Sequence, residues 1–241
     1  MTDSLRFVLI KNNSNNFNKA LVFDLDTYKF IRNKYNIVGK FIGILTDFKQ
    51  QYNICNLPCE INILEICWLI NQISNDEIKL HLYYNSSQSI EIETYDSKEE
   101  ENNKNHLLIP FKNYYSNLKD NTESLLKELK TQLDNDLDYK FYSYLKTKFK
   151  STDNNQIDQY PCLLSGLKFG GIYNLYLKDP LTIHSKYIVK NIIFGKNQSI
   201  PLVQLQSDIR LGSSTKKEVL VTFLNEDDLQ FESYSFQWAG F

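Results

Sequence analysis

Much of what this sequence lacks is informative. Nowhere do roughly 20 apolar residues run together, the length that a helix needs to cross a bilayer, so no membrane-spanning helix is expected. No charged head leads into a long apolar stretch near Met1, and Phe7-Val-Leu-Ile10 is too short for a signal peptide. Four cysteines in 241 residues are too few for the disulfide framework of a secreted protein. Cys55, Cys59 and Cys67 fall near one another, but no histidine lies close in sequence. Their apolar neighbours Leu57, Ile66 and Trp68 favour buried thiols over structural zinc. The expectation is a soluble intracellular protein without a metal. An excess of positive charge is missing too, since the net charge of −2 does not announce a nucleic-acid binder.

What is present is enough for a folded chain. Hydrophobic residues make up 42% and aromatics 14%, so wholesale disorder is excluded, and the length suits two small domains or one large one. Leu5–Ile10, Ala20–Asp24 and Phe41–Leu45 read as strands. Asp26 and Thr27 are placed to cap a helix carrying Tyr28, Ile31 and Tyr35 at helical spacing. Asn56-Leu-Pro leads into a buried helix over Asn62–Ile73, and Ile78–Tyr84 reads as a closing strand. Residues 1–84 thus form a small α/β domain, in which His81 reads as a packed structural histidine. From Asn85 the composition turns polar and charged, as in a solvated linker. Leu118, Leu125, Leu129, Leu133 and Leu137 then mark a helix with one apolar stripe, which either lies on its own protein or docks onto a partner, the former being favoured. That linker is assigned to 85–137.

Beyond it, Tyr139–Lys150 reads as an amphipathic helix with Phe141, Tyr144, Leu145 and Phe149 inward. Tyr160–Leu164, Ile172–Leu177, a strand opened by His184, Glu218–Leu224 and Leu229–Trp238 read as strands. A helix begins near Ile200, and Arg210–Lys217 continues it or forms a second one. The fold class expected is mixed α/β and α+β, with residues 138–241 forming a central mixed sheet flanked by helices. The last strand is an exposed edge that can pair with another chain.

Chemistry concentrates between Lys168 and Lys217. There Lys168, Lys178, Lys186, Lys190, Lys196, Arg210, Lys216 and Lys217 face only Asp179 and Asp208, a local basic surplus. Tyr176 ends one strand, Asp179-Pro180 breaks it, and His184 follows, so phenol and imidazole come to one sheet edge. A phenol, an imidazole and an ammonium from the Lys216–Lys217 pair can cleave RNA. Tyr176 would take the proton of the 2′-hydroxyl, His184 would give one to the departing 5′-oxygen, and lysine would stabilise the phosphorane. Tyrosine ordinarily titrates near pH 10 and histidine near 6.5, so the phenol needs a neighbouring ammonium to act as a base.

Lys168-Phe169-Gly170-Gly171, then Tyr176-x-x-Asp179-Pro180-x-x-x-His184-Ser185-x-Tyr187-Ile188, then Arg210-Leu211-Gly212-x-Ser214-x-x-Lys217 resemble the catalytic domain of the tRNA-splicing endonucleases. The ending Ser235-Phe-Gln-Trp-Ala-Gly-Phe241 resembles the smaller eukaryotic catalytic subunit, which cuts the 3′ splice site. The resemblance implies a nuclease domain over 138–241, acting in the nucleus on intron-containing pre-tRNA. It implies no cofactor and no metal in the chemical step. Its products would carry a 2′,3′-cyclic phosphate and a 5′-hydroxyl. A hetero-oligomer with other endonuclease subunits is implied as well. Lys217 is the catalytic lysine on this basis, since Lys216 occupies a place that accepts Lys or Arg and is assigned to RNA binding. Arg210 and Trp238 align with residues that stack on or lie near a flipped base. Tyr176-Leu-Lys-Asp-Pro180 stands where the family reads Tyr-Pro-Gly-Asp-Pro, which predicts a loop of different stiffness. Two alternatives stand beside this reading: a silent structural subunit, or the subunit cutting the 5′ site.

Overall fold

A computed structural model describes residues 4–44, 55–73, 78–84, 120–152, 158–195, 199–225 and 228–239. The chain divides into two compact units, Met1–Asn33 with Ile37–Tyr139 and Lys34–Asn36 with Lys140–Phe241. None of the helices among the described residues is long and apolar enough to cross a membrane. The architecture is mixed α+β, with five α-helices among the described residues and a mostly antiparallel five-stranded sheet in each unit.

In the first unit β1 (Ser4–Lys11) and β2 (Phe17–Val22) form a hairpin, followed by α1 (Leu25–Tyr35) and β3 (Lys40–Ile44). Then come β4 (Cys55–Asn62), α2 (Ile63–Ile73), β5 (Lys79–Tyr84) and α3 (Thr122–Leu133), and the sheet order is β3-β4-β2-β1-β5. Only β1 and β5 run parallel. Asp24, rather than Asp26 or Thr27, accepts the first-turn amide at the start of α1, from Thr27 N at 2.7 Å. Thr27 is fully buried instead, and its hydroxyl accepts from Arg6 N at 3.3 Å.

Strand β4 is absent from the sequence-based expectation because Pro58 reads as a breaker. The register explains how it fits. Phe41 pairs with Cys59 and Gly43 with Asn56, so β4 carries one extra residue here and Leu57-Pro58 sits in a bulge. Helix α2 buries Ile63, Ile66, Cys67, Trp68, Leu69, Ile70 and Ile73, each side chain of this kind contributing about 1.5–3 kcal/mol when fully buried. Cys59 and Cys67 are buried free thiols, both pushed up to about 12, chiefly by burial. Leu125, Leu129 and Leu133 on α3 are buried as well. His81, half-exposed on β5, pairs through Nδ1 with Asp120 Oδ2 at 2.6 Å. Leu118, the first residue of the expected apolar stripe, lies outside the described residues.

The second unit takes most of α4 (Leu137–Lys148), the two-residue strands β6 (Ser151–Thr152) and β7 (Asp158–Gln159), and β8 (Cys162–Ser165). It continues with β9 (Tyr173–Tyr176), β10 (Tyr187–Phe194), α5 (Leu202–Ser214), β11 (Glu218–Asn225) and β12 (Gln230–Phe236). Sheet order is β12-β11-β10-β9-β8. Only β10 and β11 are parallel, and α5 is the crossover that a parallel pair requires. That helix has 13 residues, so of the two expected arrangements Arg210 continues the helix that begins near Ile200.

Aromatic contacts from α4 reach one sheet face: Phe141 to Tyr173 at 6.5 Å, Tyr144 to Phe231 at 5.2 Å and Phe149 to Tyr187 at 5.1 Å. Strand alternation puts Ile188, Lys190 and Val219 on the other face, against α5 and the loop 166–171. Phe141 and Leu145 are buried as expected, Tyr142 and Lys146 are buried as well, and Tyr144 and Phe149 (the latter just past the helix) face the sheet half-buried. Lys146 is fully buried because its ammonium donates to the carbonyls of Pro161 at 2.7 Å and Tyr35 at 3.1 Å.

Candidate active site

Register brings most of the sequence-nominated residues to one end of the second sheet. Leu175 pairs with Tyr187, so Tyr176 lies just past that pair at the end of β9. Tyr187 pairs in turn with Glu218, so Lys217 stands immediately before β11 at the same level. Val219 pairs with Phe236, which brings Trp238 to that end from β12. Four adjacent strands thus deliver residues from distant parts of the chain. Alternation from Asn174, opposite Ile188, also puts Tyr176 on the face covered by α5.

The β9–β10 loop carries His184. Asp179 organises it, its carboxylate accepting from Leu181 N at 2.8 Å and its carbonyl from Thr182 N at 2.9 Å and Ile183 N at 3.2 Å. Lys186 N donates to Leu175 O at 2.9 Å and closes the loop. Contrary to the sequence expectation, His184 does not open a strand but lies exposed in the loop, three residues before β10. Among the described residues no hydrogen bond joins Tyr176, His184 and Lys217 to one another. Next to His184, the Ser185 hydroxyl is buried without a hydrogen-bond partner, a feature with no signal in the sequence.

The end of α5 separates the two lysines that periodicity cannot distinguish. Gly212 O accepts Lys217 N at 2.8 Å and Ser213 O accepts Lys216 N at 3.0 Å, the paired bonds of a left-handed helix terminus. Lys216 occupies the left-handed position, φ 56°, where glycine is usual, and it is exposed. Lys217 turns back toward the sheet and is half-buried. Its ammonium reaches Thr215 O at 3.4 Å and lies 5.1 Å from the centre of the Phe169 ring. Gly212 permits this return: a Cβ there would stand 2.8 Å from Lys217 O and 3.0 Å from Val219 Cγ2.

Arg210, on α5, holds its guanidinium 5.2 Å over the Trp238 ring. Around them the basic surplus is partly cancelled. Lys190 pairs with Asp208 at 2.7 Å, and Lys186 lies 3.9 Å from Glu218, just beyond the stretch counted from sequence. The hydroxyl of Tyr187 and the Glu218 carboxylate hold the Lys186 ammonium above the usual lysine range despite partial desolvation. Lys168, Lys178, Arg210, Lys216 and Lys217 have no carboxylate partner among the described residues. Lys196 lies outside them.

Residues 12–74 match the family described as TSEN34-like, N-terminal domain, and residues 159–231 match the tRNA intron endonuclease, catalytic C-terminal domain. The chain belongs to the tRNA-splicing endonuclease family. This endonuclease subunit is 25% identical to tRNA-splicing endonuclease subunit SEN34 of Saccharomyces cerevisiae, over 92% of its own length and 98% of that protein. It is also 25% identical to the probable tRNA-splicing endonuclease subunit sen34 of Schizosaccharomyces pombe, over 92% and 95%. The catalytic-domain match runs from β7 into β12, so it contains Tyr176, His184, Arg210, Lys216 and Lys217. Trp238 lies just past it.

Proposed function

We propose that this endonuclease subunit cuts pre-tRNA at the 3′ splice site, leaving a 2′,3′-cyclic phosphate and a 5′-hydroxyl. The observation that carries the reading is the convergence of Tyr176, His184 and Lys217 on one sheet end within a tRNA intron endonuclease catalytic domain. Tyr176 accepts the 2′-hydroxyl proton as the 2′-oxygen attacks phosphorus. His184 gives a proton to the 5′-oxygen as the P–O bond breaks, and its exposure leaves it free to meet RNA. Lys217 faces the phosphorane, where negative charge peaks. Side chains supply every proton and charge in this scheme, so the chemical step needs no metal.

Arg210 stacked on Trp238 offers a planar cation and a planar ring beside the cut, a fitting platform for an unpaired base. Exposed Lys216 suits a phosphate contact. The chain works with the other subunits of the enzyme in the nucleus. The β12 edge, where Leu229 is 59% and Tyr234 51% exposed, suits a subunit partner.

Co-expression with those subunits and cleavage of an intron-containing pre-tRNA, with both junctions mapped, tests the reading. His184→Ala should slow 3′ cleavage by about 10²–10⁴-fold and leave 5′ cleavage and assembly intact. Loss of both cuts in a stable complex would sink the assignment of this site to one junction. Full activity of the variant at the 3′ junction would favour a silent structural subunit.

A further inference from the structure

The two glycines after Phe169 serve a loop that the mechanism above leaves without a task. A tight 3₁₀ turn, Leu167–Phe169, is closed by Gly170 N to Leu167 O at 3.1 Å and Gly171 N to Gly166 O at 3.1 Å. Ile172 N then donates to Val189 O at 2.8 Å and ties the loop to β10. Gly171 lies so near the sheet that a Cβ would stand 2.6 Å from Val189 O, so no other residue brings the loop this close. Lys190, projecting from β10, donates to Gly170 O at 2.8 Å while it pairs with Asp208 on α5 at 2.7 Å. One ammonium therefore fastens the loop, the strand and the helix together, right beside Phe169.

The ring so fixed carries a cation. Lys217 Nζ is 5.1 Å from its centre, within the range in which a ring face attracts an ammonium. The other contact of that ammonium, the Thr215 carbonyl at 3.4 Å, is long. A lysine stem has four rotatable bonds, and a charge stabilises a transition state only if it is already aimed when the charge develops. Asp208 completes the arrangement. It neutralises Lys190, so the loop is fastened without adding a net positive charge beside Lys168 and Lys217, which both face the same ring.

We propose that Phe169 is a positioning residue for Lys217, its ring aiming the ammonium at the phosphorane, and that the Lys190–Asp208 pair holds the ring in place. This rests on the reading of Lys217 as the phosphorane-stabilising group. Phe169 touches no reacting atom and acts only through the lysine.

The test is a double-mutant cycle in the assembled endonuclease, with single-turnover 3′ cleavage measured at saturating enzyme. Phe169→Leu, which keeps apolar volume and removes the ring face, should slow cleavage about 3- to 20-fold with the half-saturating concentration unchanged. Phe169→Tyr should restore the rate. In a Lys217→Ala background Phe169→Leu should cost nothing further, because the lysine through which it acts is gone. An equal loss in both backgrounds, or no loss in either, overturns the proposal. If Lys217→Ala alone cuts at the normal rate, the role given to Lys217 fails and the proposal falls with it. That outcome is distinct from an additive cycle, which leaves the lysine's role standing. Should Phe169→Leu prevent assembly, Lys190→Met carries the same cycle, since it releases the loop without altering the ring; additivity there is equally fatal.

Discussion

Gly171→Ala should loosen the second sheet at β9 and β10, through sterics rather than backbone strain. Gly171 is not in the left-handed region, unlike Gly170 at φ 64°. A methyl at 171 would meet Val189 O at 2.6 Å and Ile188 Cγ2 at 2.8 Å. The carbonyl cannot yield without lengthening the 2.8 Å bond it accepts from Ile172 N. Overpacking of this kind costs about 1–3 kcal/mol and a weakened hydrogen bond about 0.5–1.5. The more restricted unfolded chain returns about 0.4–1 kcal/mol, leaving a net loss of about 0.5–4 kcal/mol. At Gly170 the added methyl meets only the flexible Lys190 Nζ, at 3.6 Å. Left-handed strain of about 1–2 kcal/mol, offset by the same entropy gain, makes Gly170→Ala the milder change. Hydrogen exchange on the full chain reads both. In Gly171→Ala, peptides of β9 and β10 should exchange about 2- to 900-fold faster while those of β1 and β2 stay as they were. Unchanged protection, or a larger effect from Gly170→Ala, would refute the close-approach argument.

Two further outcomes are expected. Lys216→Ala should weaken RNA binding with a reduced salt slope but leave the saturated single-turnover rate alone, since a phosphate contact positions RNA without serving the transition state; a normally binding, non-cutting variant would show that Lys216 is the catalytic lysine. Partial burial pushes the Asp120 carboxyl up, but hydrogen bonds from His81 and Thr122 outweigh it and hold the group below the usual carboxylate range. Its contribution to stability is therefore present above the ordinary carboxylate pKa and is lost as pH falls through the depressed one. His81→Ala should move the Asp120 titration upward in an NMR pH series, and no movement would deny the ring that role.

How far the sequence discloses this protein depends on whether a feature is local. Strands β1 and β11 are legible because short runs of apolar, β-branched and aromatic residues coincide with burial. Strand β4 is not, because Pro58 is acceptable only where a bulge takes it out of the ladder, and a bulge is a property of two strands. The burial of Lys146 on α4 is missed for a similar reason. A lysine counts as a surface residue until the carbonyls of Tyr35 and Pro161 are found around its ammonium. The same holds at the site. Tyr176 and His184 are visible as residue types in a spacing, but the turn that Asp179 holds through Ile183 keeps His184 out of β10. The pairing of Leu175 with Tyr187 and Tyr187 with Glu218, which brings the residues to one edge, is written in no single segment.

The buried ammonium of Lys146 has a consequence for how the gene can be cut. The second unit is not one stretch of sequence, because Lys34–Asn36 belong to it. Tyr35 O receives one of the Lys146 bonds, and Asn36 Nδ2 donates to Tyr160 O at 3.2 Å. A fragment starting at Lys140 would keep every residue nominated for catalysis yet lose both of these partners. Lys146 would be left with fewer acceptors for a charge that water does not reach. One acceptor it would keep, Pro161 O, immediately precedes β8, the strand that pairs with Tyr176. The nuclease half is thus not a transplantable module. Its completion waits on residues made a hundred positions earlier, so any shortened version has to carry them along.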